Sequence, residues 1–184
     1  LHVPATARRF AQEFLARAGV GPDERILAIN PATTWASKNW PPEYYAEVIA
    51  AVHPKLRVLL CGGPDDRRLG RFIVEQAGVP VVNAIGATSL LELAALLERC
   101  SALICGDTGP LHMAVALGTP TVSIFGPTDP RRHGPLNGRH IVLQSQGNCR
   151  NCYKYHCRHP AESCMRAVTP AAVLQALDEL LAGR

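Results

Sequence analysis

Residues 101–118 read SALICGDTGPLHMAVALG, and this stretch decides the fold. Ser101 to Cys105 is a short apolar run of the kind that forms a strand buried on both faces. A helical pattern follows at once, from about Thr108 to Leu117, and Gly118 stops it. A buried strand that turns directly into a helix is half of a parallel βαβ unit. The turn itself, Gly106-Asp107-Thr108-Gly109, carries chemistry. An Asp or Thr hydroxyl at a helix start caps backbone N–H groups, and the remaining free N–H groups and the helix dipole favour an anion there. Thr108 and His112 are four residues apart and share one helical face at the positive end. A strand end, a glycine, a hydroxyl and an imidazole together form a seat for a diphosphate.

Outward from this unit the pattern repeats. Further strands are predicted at Arg25–Asn30, Arg57–Cys61, Val79–Asn83 and Thr121–Phe125, with a weaker one at His140–Gln144. Helical patterns lie at Ala5–Ala18, Pro42–Val52, Asp65–Ala77 and Leu90–Cys100. A last helix starts at Thr169-Pro170, a capping residue with proline at the first helical position. Alternating strands and helices predict an α/β fold, a Rossmann-like doubly wound parallel sheet covered on both faces. The segment Gln146–Arg166 is polar and cysteine-rich and reads as a long surface excursion.

The 184 residues fit one domain, large enough for a substantial core without disulfide staples. With 47% hydrophobic, 18% charged and 5% aromatic residues the composition is that of an ordinary soluble α/β protein. A net charge of +4 suits an anionic ligand or a membrane surface, and no basic cluster of a nucleic-acid binder is present. No apolar run approaches the roughly 20 residues that cross a bilayer. No signal peptide is evident. The start at Leu1, in an amphipathic helix pattern and without methionine, suggests a fragment of a longer protein.

Ligands of open α/β sheets bind beyond the carboxyl ends of the strands, so the loops after strands matter most. Asn30 to Pro41 (NPATTWASKNWP) holds two adjacent hydroxyls, Thr33 and Thr34, with Lys38 beyond them as a point charge for phosphate oxygens. Cys61-Gly62-Gly63-Pro64-Asp65-Asp66 offers close backbone approach and a carboxylate for ribose hydroxyls. Gly86-Ala87-Thr88-Ser89 opens a helix, and Gly126-Pro127-Thr128-Asp129-Pro130 follows the fifth strand. Each feature has a plain alternative. Asp65 or Asp66 and Asp107 could be helix caps, Thr33-Thr34 a turn, Lys38 a solvated charge and His112 a structural histidine. Five such loops on one sheet edge favour a shared ligand.

The run GDTGPLHMAVALGTPTVSIFGPTDP (106–130) and the earlier NPATTWASKNWPPEYYAEVI (30–49) resemble the bacterial ADP-heptose:lipopolysaccharide heptosyltransferases of glycosyltransferase family 9. The resemblance extends in order from about Leu27 to the C-terminus. It implies the GT-B arrangement of two Rossmann-like domains facing across a cleft, with residues 1–184 as the C-terminal, donor-binding domain and the N-terminal acceptor domain outside this chain. Thr33, Thr34 and Lys38 match the loop that holds the donor's diphosphate and sugar. Asp107, Thr108, Gly109 and His112 match the motif on the other side of the phosphates. Asp66, or Asp65 as the alternative, matches an acidic residue near the ribose, Thr88 falls where the nucleoside pocket is lined, and Gly63 allows the nucleoside close. The implied reaction is inverting, metal-independent transfer of heptose from ADP-heptose to the Kdo–lipid A inner core. In it Lys38 stabilises the leaving group, and the base lies on the other domain. No cofactor is required, and the resemblance implies a cytoplasmic enzyme at the inner face of the inner membrane. A GT-B transferase of another nucleotide sugar and a non-catalytic nucleotide-binding module stay open beside it.

Cys149, Cys152, Cys157 and Cys164 form a C-x2-C-x4-C-x6-C pattern. Its first pair has metal-ligand spacing, and four thiolates would complete a tetrahedral structural zinc site. Disulfides and packed reduced thiols are the other two readings. Cys61, Cys100 and Cys105 read as core residues.

Overall fold

The Ile-Leu-Ala-Ile-Asn run of β1 (Ile26–Asn30) and the Ala-Leu-Ile-Cys-Gly run of β4 (Ala102–Gly106) are buried at every position, which is why they read as unbroken apolar runs. They pair with each other in parallel, Leu27 opposite Ala102 and Asn30 opposite Cys105. The computed structural model describes residues 1–145 and 149–183. Its sheet adds β2 (Arg57–Leu60), β3 (Val82–Asn83), β5 (Thr121–Phe125) and β6 (His140–Gln144) in the order β3-β2-β1-β4-β5-β6. All five pairings are parallel. This is the doubly wound order, which reverses direction between β1 and β4.

Two apolar layers cover the sheet. One face packs α2 (Pro42–Val52), α3 (Arg67–Ala77) and α7 (Pro170–Ala182) around Trp40, Tyr45, Ile49, Ile73 and Leu177. The other packs α1 (Ala5–Arg17), α4 (Leu90–Glu98) and α5 (Gly109–Leu117) around Leu15, Leu96, Leu103, Leu111 and Phe125. Alternate residues of one strand serve opposite layers: Leu27 and Ile29 face the first, Ile26 and Ala28 the second.

The predicted elements form, with informative differences. The third strand is two residues rather than five, because Val79–Val81 only leads into the sheet edge. The helix expected from Asp65 opens instead as a 3₁₀ turn, Pro64–Asp66, before α3. A four-residue helix α6 (Pro130–His133) starts on an Asp129 side-chain cap and was not predicted. Residues 146–148 of the expected surface excursion lie outside the described residues.

Candidate functional site

The site is assembled from loops leaving the carboxyl ends of β1, β4 and β5. After β1 the chain makes a 3₁₀ turn, Ala36–Lys38, and is anchored beyond it by Trp40, fully buried, whose indole N–H donates to the Val168 carbonyl at 2.8 Å. Asn39 closes the loop: its Oδ1 accepts from the Thr33 N–H and from the Thr33 hydroxyl, both at 2.9 Å. The turn lifts Lys38 over the end of β4, where Nζ meets Asp107 Oδ2 at 2.7 Å. The Thr128 hydroxyl, on the loop after β5, donates to the same Oδ2 at 2.8 Å. Lys38 Nζ also lies 4.5 Å from the centre of the Trp35 ring, within cation–π reach.

This pair is mostly shielded, with side-chain exposures of 15% for Lys38 and 9% for Asp107. The ammonium has three donors, and Asp107 occupies one. Two remain for an incoming anion. The pair spans the point where strand order reverses, between β1 and β4. Gly106 lets the two loops approach, because a Cβ there would lie 3.1 Å from Thr33 Cγ2 and 3.4 Å from the Lys38 carbonyl oxygen.

The start of α5 departs from the expected capping. Thr108 is the N-cap residue, with an extended backbone at φ −153° and ψ 165°, but its side chain caps no N–H. Asp107 does not cap either; it is committed to Lys38 and Thr128. The Gly109 N–H is thus left for a ligand, whereas Pro110 has no N–H and the Leu111 N–H donates to the Thr108 carbonyl at 3.1 Å. Gly109 has open space where a Cβ would stand, and His112 is exposed one turn on. The side chains of Thr34, Thr88, Thr108 and His112 make no hydrogen bond to a described residue.

Asp66 and Thr88 sit farther along the edge, after β2 and β3. Asp66 Oδ2 accepts the Gly63 N–H at 2.8 Å, so the carboxylate closes its own turn, as the plain capping alternative expects. Neither residue contacts the Lys38–Asp107 pair. Sequence reasoning gave no role to Thr128 or Asn39. Thr128 had a signal, a hydroxyl three residues past the strand next to β4; Asn39, at the end of a 3₁₀ turn invisible to periodicity, had none. A cavity of about 530 Å³ between α1 and α4 contains the Arg8–Glu98 pair and none of these residues. The chemistry gathers on the open strand edge instead.

A family model for glycosyltransferase family 9 (heptosyltransferase) matches residues 3–162. The chain belongs to glycosyltransferase family 9. The lipopolysaccharide heptosyltransferase 3 of Escherichia coli is 31% identical over 97% of this chain and 52% of its own length. The lipopolysaccharide heptosyltransferase 1 of Pseudomonas aeruginosa is 30% identical over 77% and 40%. The chain thus spans about half the length of the relatives it matches. Among solved structures, a family 9 glycosyl transferase from Veillonella parvula superposes with a TM-score of 0.90 at 27% identity, covering all of this chain and 54% of that one. The E. coli heptosyltransferase WaaC with ADP gives 0.69 at 25% identity, over 92% and 48%.

The family 9 chain carries its cysteine cluster beside this site. All seven cysteines are free. Cys149, Cys152 and Cys157 line one cavity of about 240 Å³ with His156 and His159. Cys164 lies buried, its thiol pushed up to about 11 by burial and then by the other three thiols. The donor set suits a soft cation, yet among the described residues no three His, Cys, Asp or Glu side chains are arranged to hold a metal ion. Among them no helix is long and apolar enough to cross a membrane.

Proposed function

We propose that residues 1–184 form the donor-binding domain of a GT-B heptosyltransferase that moves heptose from ADP-heptose onto the lipopolysaccharide inner core. The observation that carries this reading is the Lys38–Asp107 pair across the strand-order reversal, at 2.7 Å, with unpaired hydroxyls and the free Gly109 N–H beside it. The diphosphate lies between the Thr33–Lys38 loop and the Asp107–Gly109 turn, with His112 one turn beyond. Adenosine extends toward Asp66 and Thr88, whose strands lie two and three spacings from β4, about 14 Å at most. That suits an extended nucleoside diphosphate. The ADP complex of a relative with this fold supports the choice of nucleotide.

In the transfer an acceptor hydroxyl attacks the anomeric carbon from the face opposite the leaving group, and the bond from that carbon to the β-phosphate oxygen breaks, inverting the centre. The electron pair leaves with ADP. Lys38, held in aim by Asp107 and Thr128, neutralises that growing charge, with the Gly109 N–H and the positive end of α5 beside it. The acceptor's proton passes to a base on the partner domain. No metal takes part in this scheme, and the acceptor's lipid places the protein on the cytoplasmic face of the inner membrane.

Lys38→Ala removes a charge-assisted contact of about 1.5–3 kcal/mol, so ADP binding weakens about 10- to 100-fold by calorimetry. Unchanged affinity in a folded variant would sink the donor-site reading. Tighter binding of UDP or GDP than ADP would keep the fold and replace heptose by another sugar. Cys149, Cys152, Cys157 and Cys164, free and not arranged to hold a metal ion among the described residues, stay outside this scheme as reduced thiols; one equivalent of zinc in protein purified without chelator would overturn that and restore the zinc reading.

A further inference from the structure

The exposed segment after residue 148 bonds selectively to the loops that carry the Lys38–Asp107–Thr128 cluster. On one side, the Asn151 N–H donates to the Gly126 carbonyl at 2.9 Å and the Tyr153 N–H to the Pro127 carbonyl at 2.8 Å. The Tyr153 phenol oxygen accepts from the Asp129 N–H at 3.3 Å. On the other side, the Ser37 N–H donates to the Tyr155 carbonyl at 3.0 Å, and the Ser37 hydroxyl donates to the Lys154 carbonyl. The Tyr155 hydroxyl donates to the Thr34 carbonyl at 2.6 Å, and its ring tilts against Trp35 with centres 6.0 Å apart.

Burial does not hold this segment in place, since Tyr153 and Tyr155 are 41% and 48% exposed. Nor is its backbone relaxed. Asn151 at φ 54° and Tyr153 at φ 52° occupy the left-handed region, which asparagine adopts readily but a bulky tyrosine only where its surroundings impose it. These two residues deliver the bonds to Gly126 and Pro127. At Gly126 a Cβ would lie 2.6 Å from Cys164 Sγ, so the loop after β5 is fitted closely to the far end of the same cysteine-rich region. The segment therefore ties the loop bearing Lys38 to the loop bearing Thr128, passing by the Asp107 turn to which both contribute.

We propose that Asn151–Tyr155 is a strap that sets the spacing of the diphosphate-binding loops, with Tyr155 as a positioning residue for Thr34 and Lys38. Tyr155 touches no reacting atom in this account; it acts through the Thr34 carbonyl and Ser37. The proposal rests on the donor-site reading above and adds to it a part of the chain that the diphosphate motifs do not include. Because the tyrosine hydroxyl is polar and exposed, losing it should leave the core unaffected. Its effect should appear in the loop and in the ligand.

The test compares Tyr155→Phe, Tyr155→Ala and Lys38→Ala in the full-length protein, by ADP titration, hydrogen exchange at residues 34–38 and thermal unfolding. Tyr155→Phe is expected to weaken ADP about 3- to 10-fold, the loss of one neutral hydrogen bond's orientation. Exchange at Ser37 and Lys38 should quicken while the unfolding midpoint stays put. Tyr155→Ala, which also loses the ring against Trp35, should weaken ADP further. If both Tyr155 variants bind ADP like the parent while Lys38→Ala binds poorly, the strap proposal is wrong and the donor site stands. If Lys38→Ala binds like the parent, the donor site falls and the strap with it. Should Tyr155→Ala fail to fold, the phenylalanine variant alone decides.

Discussion

At Gly106 and Gly126 the side chain is a hydrogen atom for two different reasons. A Cβ at Gly106 would crowd Thr33 Cγ2 at 3.1 Å and touch the Lys38 carbonyl at 3.4 Å, both part of the donor loop, which would have to shift by a few tenths of an ångström. At Gly126 it would meet Cys164 Sγ and Met165 Sδ at 2.6 Å, inside the core where Cys164 and Met165 are 6% and 1% exposed. Gly106→Ala should therefore cost donor affinity more than stability. Gly126→Ala should show the overpacking penalty of about 1–3 kcal/mol in urea unfolding. Equal loss of stability in both would mean that Gly106 serves packing rather than the site. The sequence shows glycines at strand ends and allows a close backbone approach. It does not say to what: these two strand-end glycines admit neighbouring protein, while Gly109 at the start of α5 faces open space. Thr108 carries the same lesson, for its cap-type residue was legible and the unused hydroxyl was not.

At the scale of elements, what was legible follows burial. Strands β1, β4 and β5 are buried throughout, and their apolar runs announced them within a residue or two. Strand β3 was overread because its apolar approach, Val79 and Val81, packs beside the core without joining the ladder. The 3₁₀ turns and the bonds of Asn151–Tyr155 left no periodic trace, since main-chain contacts depend little on residue type. Edge strand β6, the least buried of the long strands, carries a titratable contact. His140 Nδ1 lies 3.0 Å from the Thr121 hydroxyl, and burial lowers the imidazole's pKa from 6.5, opposed by a backbone bond to Asn137. A histidine lowered in the folded state stabilises fully above its ordinary value. The unfolded chain binds more protons as pH falls through 6.5 toward the folded value, so stability is lost there. The thermal midpoint should drop between about pH 7.5 and about pH 5.5, and His140→Gln should flatten that drop. An unchanged slope in the variant would move the acid sensitivity elsewhere.

Across the whole molecule the seven cysteines divide along the line between core and site, which gives the fold a chemical readout. Cys61, Cys100 and Cys105 lie in the layer under α1, α4 and α5. Burial pushes Cys61 up to about 12 and raises Cys100 and Cys105 as well. Cys164 joins the opposite layer, at about 11. Only a thiolate attacks a disulfide reagent, so these four are shielded twice, by access and by protonation. Cys149 and Cys152 are exposed and Cys157 is half-buried, all three near the strap. Ellman's reagent near pH 8 should therefore modify two thiols quickly and a third slowly, leaving four until the protein is unfolded. Rapid reaction of more than three would mean that the two apolar layers open far more readily than their packing implies. Fewer than two would mean that the exposed pair is oxidised or metal-bound in solution, which zinc content and prior reduction tell apart. Because Cys152 stands between the two left-handed residues of the strap, its modification should also weaken ADP, and saturating ADP should slow it. Core order and donor binding would then be read from the same set of thiols.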